Sequence, residues 1–128
     1  MHYLHPEDTL VIHAKVIDAT GGRHGVRDVG LLISICERPK TALFGKDMFV
    51  DIFAKAAVYL ESFATYHVFV DGNKRTAITS AARFLYLNGY ELKATQQILE
   101  RFVLQVATRK HSLEVIASWL EQNSRVIA

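Results

Sequence analysis

Residues 47–66 read DMFVDIFAKAAVYLESFATY. Phe49, Ile52, Phe53, Ala56, Leu60, Phe63 and Ala64 recur at three- and four-residue steps, the period of a helix and not of a strand. So many aromatic and aliphatic positions in one run predict a central, largely buried helix. Asp47 is the expected cap, and the helix should end near Tyr66.

The elements on either side follow from this run. After it, a loop is expected around Val70, Asp71 and Gly72. Asn73 is the expected cap of a second long helix with Ala77, Ile78, Ala81, Phe84 and Leu85 on its inner face. Asn88-Gly89 closes that helix, as a left-handed C-terminal residue does. Tyr90 to Lys93 reads as short and extended, and two further helices fit about 95–110 and 112–123, capped by Thr95 and Ser112. Before the central run, residues 38–47 lack a helical period and read as a surface loop or small hairpin. Asp28 caps a short helix through Leu31, Leu32 and Ile35, and Pro39 stops it. The first helix opens at Pro6, with Glu7 and Asp8 in its first turn, and ends at Gly21-Gly22. No convincing set of strands appears. The expected fold class is all-α: one domain over residues 1–128, about six helices, with the two long ones meeting at residues 67–73.

Composition narrows the function. The chain has 128 residues, half of them hydrophobic and 22% charged, which suits a single globular domain and excludes a disordered linker. Fifteen Lys and Arg against thirteen Asp and Glu leave a formal charge of only +2; a non-specific nucleic-acid binder carries a larger basic excess. The single cysteine, Cys36, permits neither an internal disulfide nor a cysteine zinc site. Asp51, Lys55 and Glu61 interrupt the longest apolar run, so no membrane span is expected. The N-terminus lacks the basic-then-apolar order of a signal peptide. The lone cysteine fits a reducing compartment, and a cytoplasmic protein is the expectation.

The chemistry concentrates in residues 67–77, HVFVDGNKRTA. A helix N-terminus carries partial positive charge and unpaired N–H groups, so acidic residues belong there. Lys74 and Arg75 stand there instead, at a cost of about 0.3–1 kcal/mol each by the dipole argument. A bound anion resolves the conflict, because phosphates would take the N–H groups, the dipole and both side chains together. Gly72 lets the backbone approach closely. Asp71 supplies a carboxylate of the kind that holds Mg²⁺ beside substrate oxygens. His67 stands four residues upstream, and an imidazole can take a proton from an attacking hydroxyl at neutral pH. Phe69 reads as an apolar peg that fixes the loop. Taken singly, each of these residues has an ordinary structural role: a His cap, an Asp-Gly turn, solvated cations. The set at this spacing points to a base, a metal ligand and an anion cradle.

This stretch resembles the motif of the Fic/Doc superfamily, His-x-Phe-x-Asp/Glu-Gly-Asn-Gly-Arg-x-x-Arg. His67, Phe69, Asp71, Gly72, Asn73 and Arg75 match it. Lys74 stands where the motif has Gly, and Ile78 where it ends on Arg. Both departures resemble the Doc branch, the death-on-curing toxins, as do the chain length, Gly21-Gly22 before Gly25-Val26-Arg27-Asp28, and Asn88-Gly89. The resemblance implies the Fic/Doc fold and a kinase-like toxin that transfers the γ-phosphate of ATP to a hydroxyl of a translation factor, elongation factor Tu. It implies His67 as general base, Asp71 as Mg²⁺ ligand, and Gly72, Asn73, Lys74 and Arg75 around the triphosphate. A side chain at 74 fills space that a Gly would leave for phosphate, a physical reason for a different nucleotide pose. Two alternatives stay open: a nucleotidyltransferase moving AMP or UMP to a protein hydroxyl, and a nucleotide-binding module without catalysis.

The same resemblance makes residues 38–47, Thr41 to Phe44 in particular, a candidate flap for a target peptide, although a plain surface loop fits equally well. Many Fic proteins carry an inhibitory Ser/Thr-x-x-x-Glu helix. No Ser or Thr stands four residues before any Glu in this chain, so the resemblance implies an inhibitor in trans, a Phd-like antitoxin with a disordered tail. His2 and His5 have metal-ligand spacing without a third ligand near; His13, His24 and His111 have no evident partner in sequence. Arg27 reads as a surface ion pair or an extra phosphate contact, Cys36 as buried and inert, and Trp119 as core, with a partner surface as its alternative.

Overall fold

The computed structural model describes residues 1–127. Among the described residues six α-helices form, in the order α1 (Pro6–Thr20), α2 (Val29–Glu37), α3 (Ile52–Thr65), α4 (Asn73–Leu87), α5 (Gln96–Ala107) and α6 (Leu113–Gln122). Helix α3 is the central element the spacing predicts. Ala56, Ala57, Val58, Tyr59, Leu60 and Phe63 are all fully buried, and α4, α5 and α6 pack around it. Small residues at 56 and 57 let the neighbouring helices approach, while Phe63, Phe84, Phe102 and Leu120 fill the core between them.

Helix α3 starts later than expected. Asp51, not Asp47, is its cap, accepting from the Ala54 N–H at 2.8 Å. Asp47 belongs to a hairpin, β1 (Ala42–Leu43) with β2 (Lys46–Asp47), so residues 38–47 form a hairpin preceded by a 3₁₀ turn over Arg38–Lys40. Phe49 lies outside the helix for the same reason. A second two-stranded sheet was not expected: β3 (Tyr90–Leu92) pairs antiparallel with β4 (Ser124–Val126), with Glu91 opposite Arg125. Its three-residue strands are too short to show a period, and the partner lies 34 residues away.

Three other caps fall where the sequence puts them. Asp28, Thr95 and Ser112 each accept from the N–H three residues on. The N-terminal segment is tied to the core by Tyr59, whose hydroxyl accepts from the buried Leu4 N–H at 3.0 Å. Burial raises the Tyr59 phenol well above its ordinary range and pushes the Cys36 thiol up to about 11. The hairpin is tied down by Lys55, a buried cation whose Nζ donates to the Pro39 carbonyl at 3.0 Å and lies 3.9 Å from Asp47 Oδ2. Among the described residues no helix is long and apolar enough to cross a membrane.

Candidate active site

The loop between α3 and α4 is built from both ends. Helix α3 stops at Tyr66, and His67 takes a left-handed conformation, φ +50. Glycine usually fills that position after a helix. A side chain kept there carries strain of the kind found at functional sites. Val68 and Phe69 then plunge into the core, both fully buried. Phe69 is the peg the sequence suggests: it stacks near-parallel on Phe63 at 6.1 Å and on His13 at 3.9 Å.

The loop is also stitched to residues 23–27. Val26 bridges Phe69, the Arg27 N–H donates to the Val68 carbonyl at 2.8 Å, and the Val70 N–H to the Gly25 carbonyl at 3.0 Å. Arg27 thus contributes its backbone, while its side chain is exposed. Asp71 sits over this second segment. Its Oδ2 accepts from the Arg23 N–H at 3.2 Å and its Oδ1 from the Gly72 N–H at 3.0 Å. Gly22 makes room: a Cβ there would fall 2.8 Å from Asp71 Oδ2. Each carboxylate oxygen still has a lone pair to offer, and the residue is exposed.

His13 holds the loop from below. It is 4% exposed, and its Nε2–H donates to the Asp71 backbone carbonyl at 2.8 Å. Its partner lies 58 residues on, which is why sequence gave no sign of this role. His24 pairs with Asp18 at 2.9 Å and His111 with Gln105 at 2.7 Å; among the described residues no group of three or more His, Cys, Asp or Glu is placed to hold a metal ion.

Helix α4 opens differently from its expectation. Gly72, not Asn73, is the N-cap, at φ +74. A Cβ at 72 would meet Ile17 Cδ1 at 2.8 Å, so both the turn and the packing on α1 require glycine. Asn73 is the first helical residue, and its amide clamps the loop shut: Oδ1 accepts from the Phe69 N–H and Nδ2 donates to the Phe69 carbonyl, both at 2.9 Å. No side chain caps α4, so the N–H groups of its first turn stay open to an anion. Lys74 and Arg75 flank that end and are exposed. Arg75 Nη2 lies 3.2 Å from Glu100 Oε1 on α5, both about half exposed.

The loop thus begins at His67, just past the end of α3, and ends at Asp71 and Gly72, where α4 opens with Lys74 in its first turn; Phe69, His13 and Asn73 hold it in place. The start of α4 offers an exposed carboxylate and N–H donors without a side-chain cap. A cleft of about 540 Å³ lies at the opposite end of α3, between Met48–Ala54 and α6.

Comparison with known proteins shows the family. A model of the Fic/DOC family matches residues 3–85, which contain the whole loop. The chain is 41% identical over 120 residues to a protein named Toxin Doc from Mycolicibacterium smegmatis, covering 92% of this chain and 90% of that one. It is 30% identical over 122 residues to Protein kinase doc of Escherichia phage P1, covering 95% of each. The chain therefore belongs to the Fic/Doc family.

Proposed function

We propose that this protein is a Doc-like toxin that transfers the γ-phosphate of ATP to a hydroxyl of a protein of the translation machinery, elongation factor Tu, in the cytoplasm. The observation that carries the reading is the uncapped N-terminus of α4, with Lys74 beside it and His67 and Asp71 in the same loop. The names of the two relatives supply toxin and kinase.

Mg²⁺ fits Asp71. The carboxylate is exposed, oriented by two backbone N–H groups and given space by Gly22, and Mg²⁺ binds through one or two carboxylates plus substrate phosphates. When bound, the ion would neutralise charge on the transferring phosphate. The chain's own residues do the rest. The first-turn N–H groups of α4 and the Lys74 ammonium bind phosphate oxygens, and Arg75 joins them by leaving Glu100. His67 accepts the proton of the acceptor hydroxyl as its oxygen attacks the γ-phosphorus, the bond from that phosphorus to the bridging oxygen breaks, and ADP leaves. Asn73, Phe69 and His13 keep the donors in place, so charge is stabilised without reorganisation. The partner implied is an antitoxin with a disordered tail that folds on binding.

Incubation of the protein with translation factors and ATP labelled at either the α or the γ position tests the reading. Transfer of the γ label, lost in His67→Ala, is the expected result. Transfer of the α label would make the protein a nucleotidyltransferase, and ATP binding without transfer of either label would leave only a binding module.

A further inference from the structure

The ends of α3 and α5 share an unusual feature. Each terminates in a left-handed residue that is not glycine: His67 at φ +50 and Arg109 at φ +60. At the end of α5 the Arg109 N–H donates to the Val106 carbonyl and the Lys110 N–H to the Gln105 carbonyl, the paired bonds that normally surround a C-terminal glycine. An arginine there is strained, as the histidine is.

A cleft of about 300 Å³ lies at these two ends, lined by Arg38, Glu61, Thr65, Tyr66, Arg109 and His111 among others. Its walls are mainly polar, unlike those of a core defect. Glu61 is the one carboxylate in the lining and is already engaged: Arg38 Nη1 donates to its Oε1 at 2.8 Å and to Ser62 Oγ at 2.8 Å. Arg109 has no carboxylate partner among the described residues. The cleft therefore holds a surplus cation beside a preorganised Arg38. His111, fixed by Gln105 and laid on Phe102 at 5.4 Å, forms a rigid side wall.

We infer that this cleft recognises an acidic side chain on the protein substrate, close in sequence to the acceptor hydroxyl. The inference rests on His67 as the base of the proposed transfer. Tyr66 lines the cleft and is the residue before His67, so the cleft lies at the start of the loop that carries the proposed base, and the acid is expected within a few positions of the acceptor. A forked guanidinium suits a carboxylate better than an ammonium would.

Two measurements on the full chain decide the matter. The first is γ-phosphate transfer to an oriented peptide library with a fixed threonine and each flanking position varied. Wild type should favour Glu over Gln at one flanking position by about tenfold, the scale of one charge-assisted hydrogen bond in a half-exposed site. Arg109→Glu should lose the preference or turn it toward Lys. Arg109→Gly is the decisive variant: glycine suits the left-handed position, so the protein should melt higher and still lose the preference. No acidic preference, or one unchanged in Arg109→Gly, overturns the inference.

The second is an NMR titration with N-acetyl-glutamate amide and N-acetyl-glutamine amide, read at the Arg38 and Arg109 Nε–Hε signals. Saturable shifts with the glutamate compound alone support the pocket. Equal response to both, no response, or a response to ATP in place of glutamate overturns it. If wild type labels no peptide at all, the phosphotransfer reading fails, and the titration still judges the cleft.

Discussion

The imidazole of His13 lies flat against the ring of Phe69, 3.9 Å between centroids and 6° from parallel. The same imidazole donates to the Asp71 carbonyl at 2.8 Å. One buried side chain on α1 thus fixes both the apolar peg and the carboxylate-bearing residue of the loop. The two functions can be separated. His13→Phe keeps a ring on Phe69 and removes the donor, leaving a part-buried carbonyl without its protein partner at a cost of about 1 kcal/mol. His13→Gln keeps a donor and loses the stack. If the hydrogen bond positions Asp71, His13→Phe should weaken Mn²⁺ binding, measured by water-proton relaxation, more than His13→Gln does, and should speed amide exchange at Gly72. Equal effects of the two variants would reduce His13 to a packing residue.

Gly72 meets two constraints at once, a φ of +74 and a gap to Ile17 Cδ1 too narrow for a Cβ. Gly72→Ala should destabilise the fold by about 1–3 kcal/mol through both effects. Ile17→Val removes the clashing methyl and leaves the backbone term. A denaturation cycle over the two single variants and the double one should therefore show a favourable coupling of about 0.5–1.5 kcal/mol. Strict additivity would mean that backbone conformation alone demands the glycine.

The local signals of this chain were legible, and the distant ones were not. Asp28, Thr95, Ser112 and Asn88-Gly89 mark helix ends because capping is settled within three or four residues. The loop 67–77 stood out because Lys74 and Arg75 violate the dipole rule within one turn. Asn73 looked like a cap because Asn favours that position; its actual bonds to Phe69 depend on the tight turn at Gly72. Asp47 and Asp51 compete as caps, and only the hairpin that consumes Asp47 decides between them. His13, the Arg75–Glu100 pair and the β3–β4 sheet join residues 25 or more positions apart. No period or spacing in a single sequence encodes those contacts.

Burial of Cys36 makes its thiol a poor nucleophile and couples it to alkaline stability. Removal of the thiol from water pushes its pKa up to about 11, with a Thr9 hydrogen bond only partly opposing this. Tyr59 shifts in the same direction, chiefly through burial. Both groups hold their protons more tightly in the folded chain than in the unfolded one. Their contribution to stability is therefore complete below the unfolded pKa and is lost as pH rises through the folded one. Denaturation midpoints should be flat from pH 7 to about 8.5 and fall beyond it, and Cys36→Ser should flatten the start of the decline. Native protein at pH 8 should not react with a thiol-disulfide reagent, whereas denatured protein should react with one equivalent. Fast labelling of the native chain would contradict the burial.

Lys55 links α3 to the segment that carries the hairpin. Its Nζ donates to the Pro39 carbonyl and lies 5.4 Å from the Tyr3 ring centroid. Lys55→Met conserves length and apolar stem while removing the donor. The variant should keep its helical circular dichroism, since the rest of α3 packs through Ala56, Tyr59, Leu60 and Phe63. Amides of residues 41–48 should exchange at least tenfold faster, as expected once a bond of about 1.4 kcal/mol no longer restrains local opening. Unchanged exchange there would show that the β1–β2 ladder holds without Lys55.

His67 supplies the sharpest test, because its proposed chemistry and its backbone preference pull in opposite directions. Residue 67 follows the C-cap of α3 at φ +50, where glycine relieves strain that any L side chain carries. The relief exceeds the extra chain entropy of glycine in the unfolded state, so His67→Gly should raise stability by about 0.5–1 kcal/mol. Loss of the imidazole should lower phosphate transfer by about 10²–10⁴-fold, the usual contribution of a general base. His67→Ala should lose transfer equally but gain no stability, since alanine suffers the same left-handed strain. Thermal melts and γ-label transfer on the three proteins read both quantities. A glycine variant that melts lower than wild type would remove the strain argument. One that still transfers phosphate would remove the imidazole from the reaction.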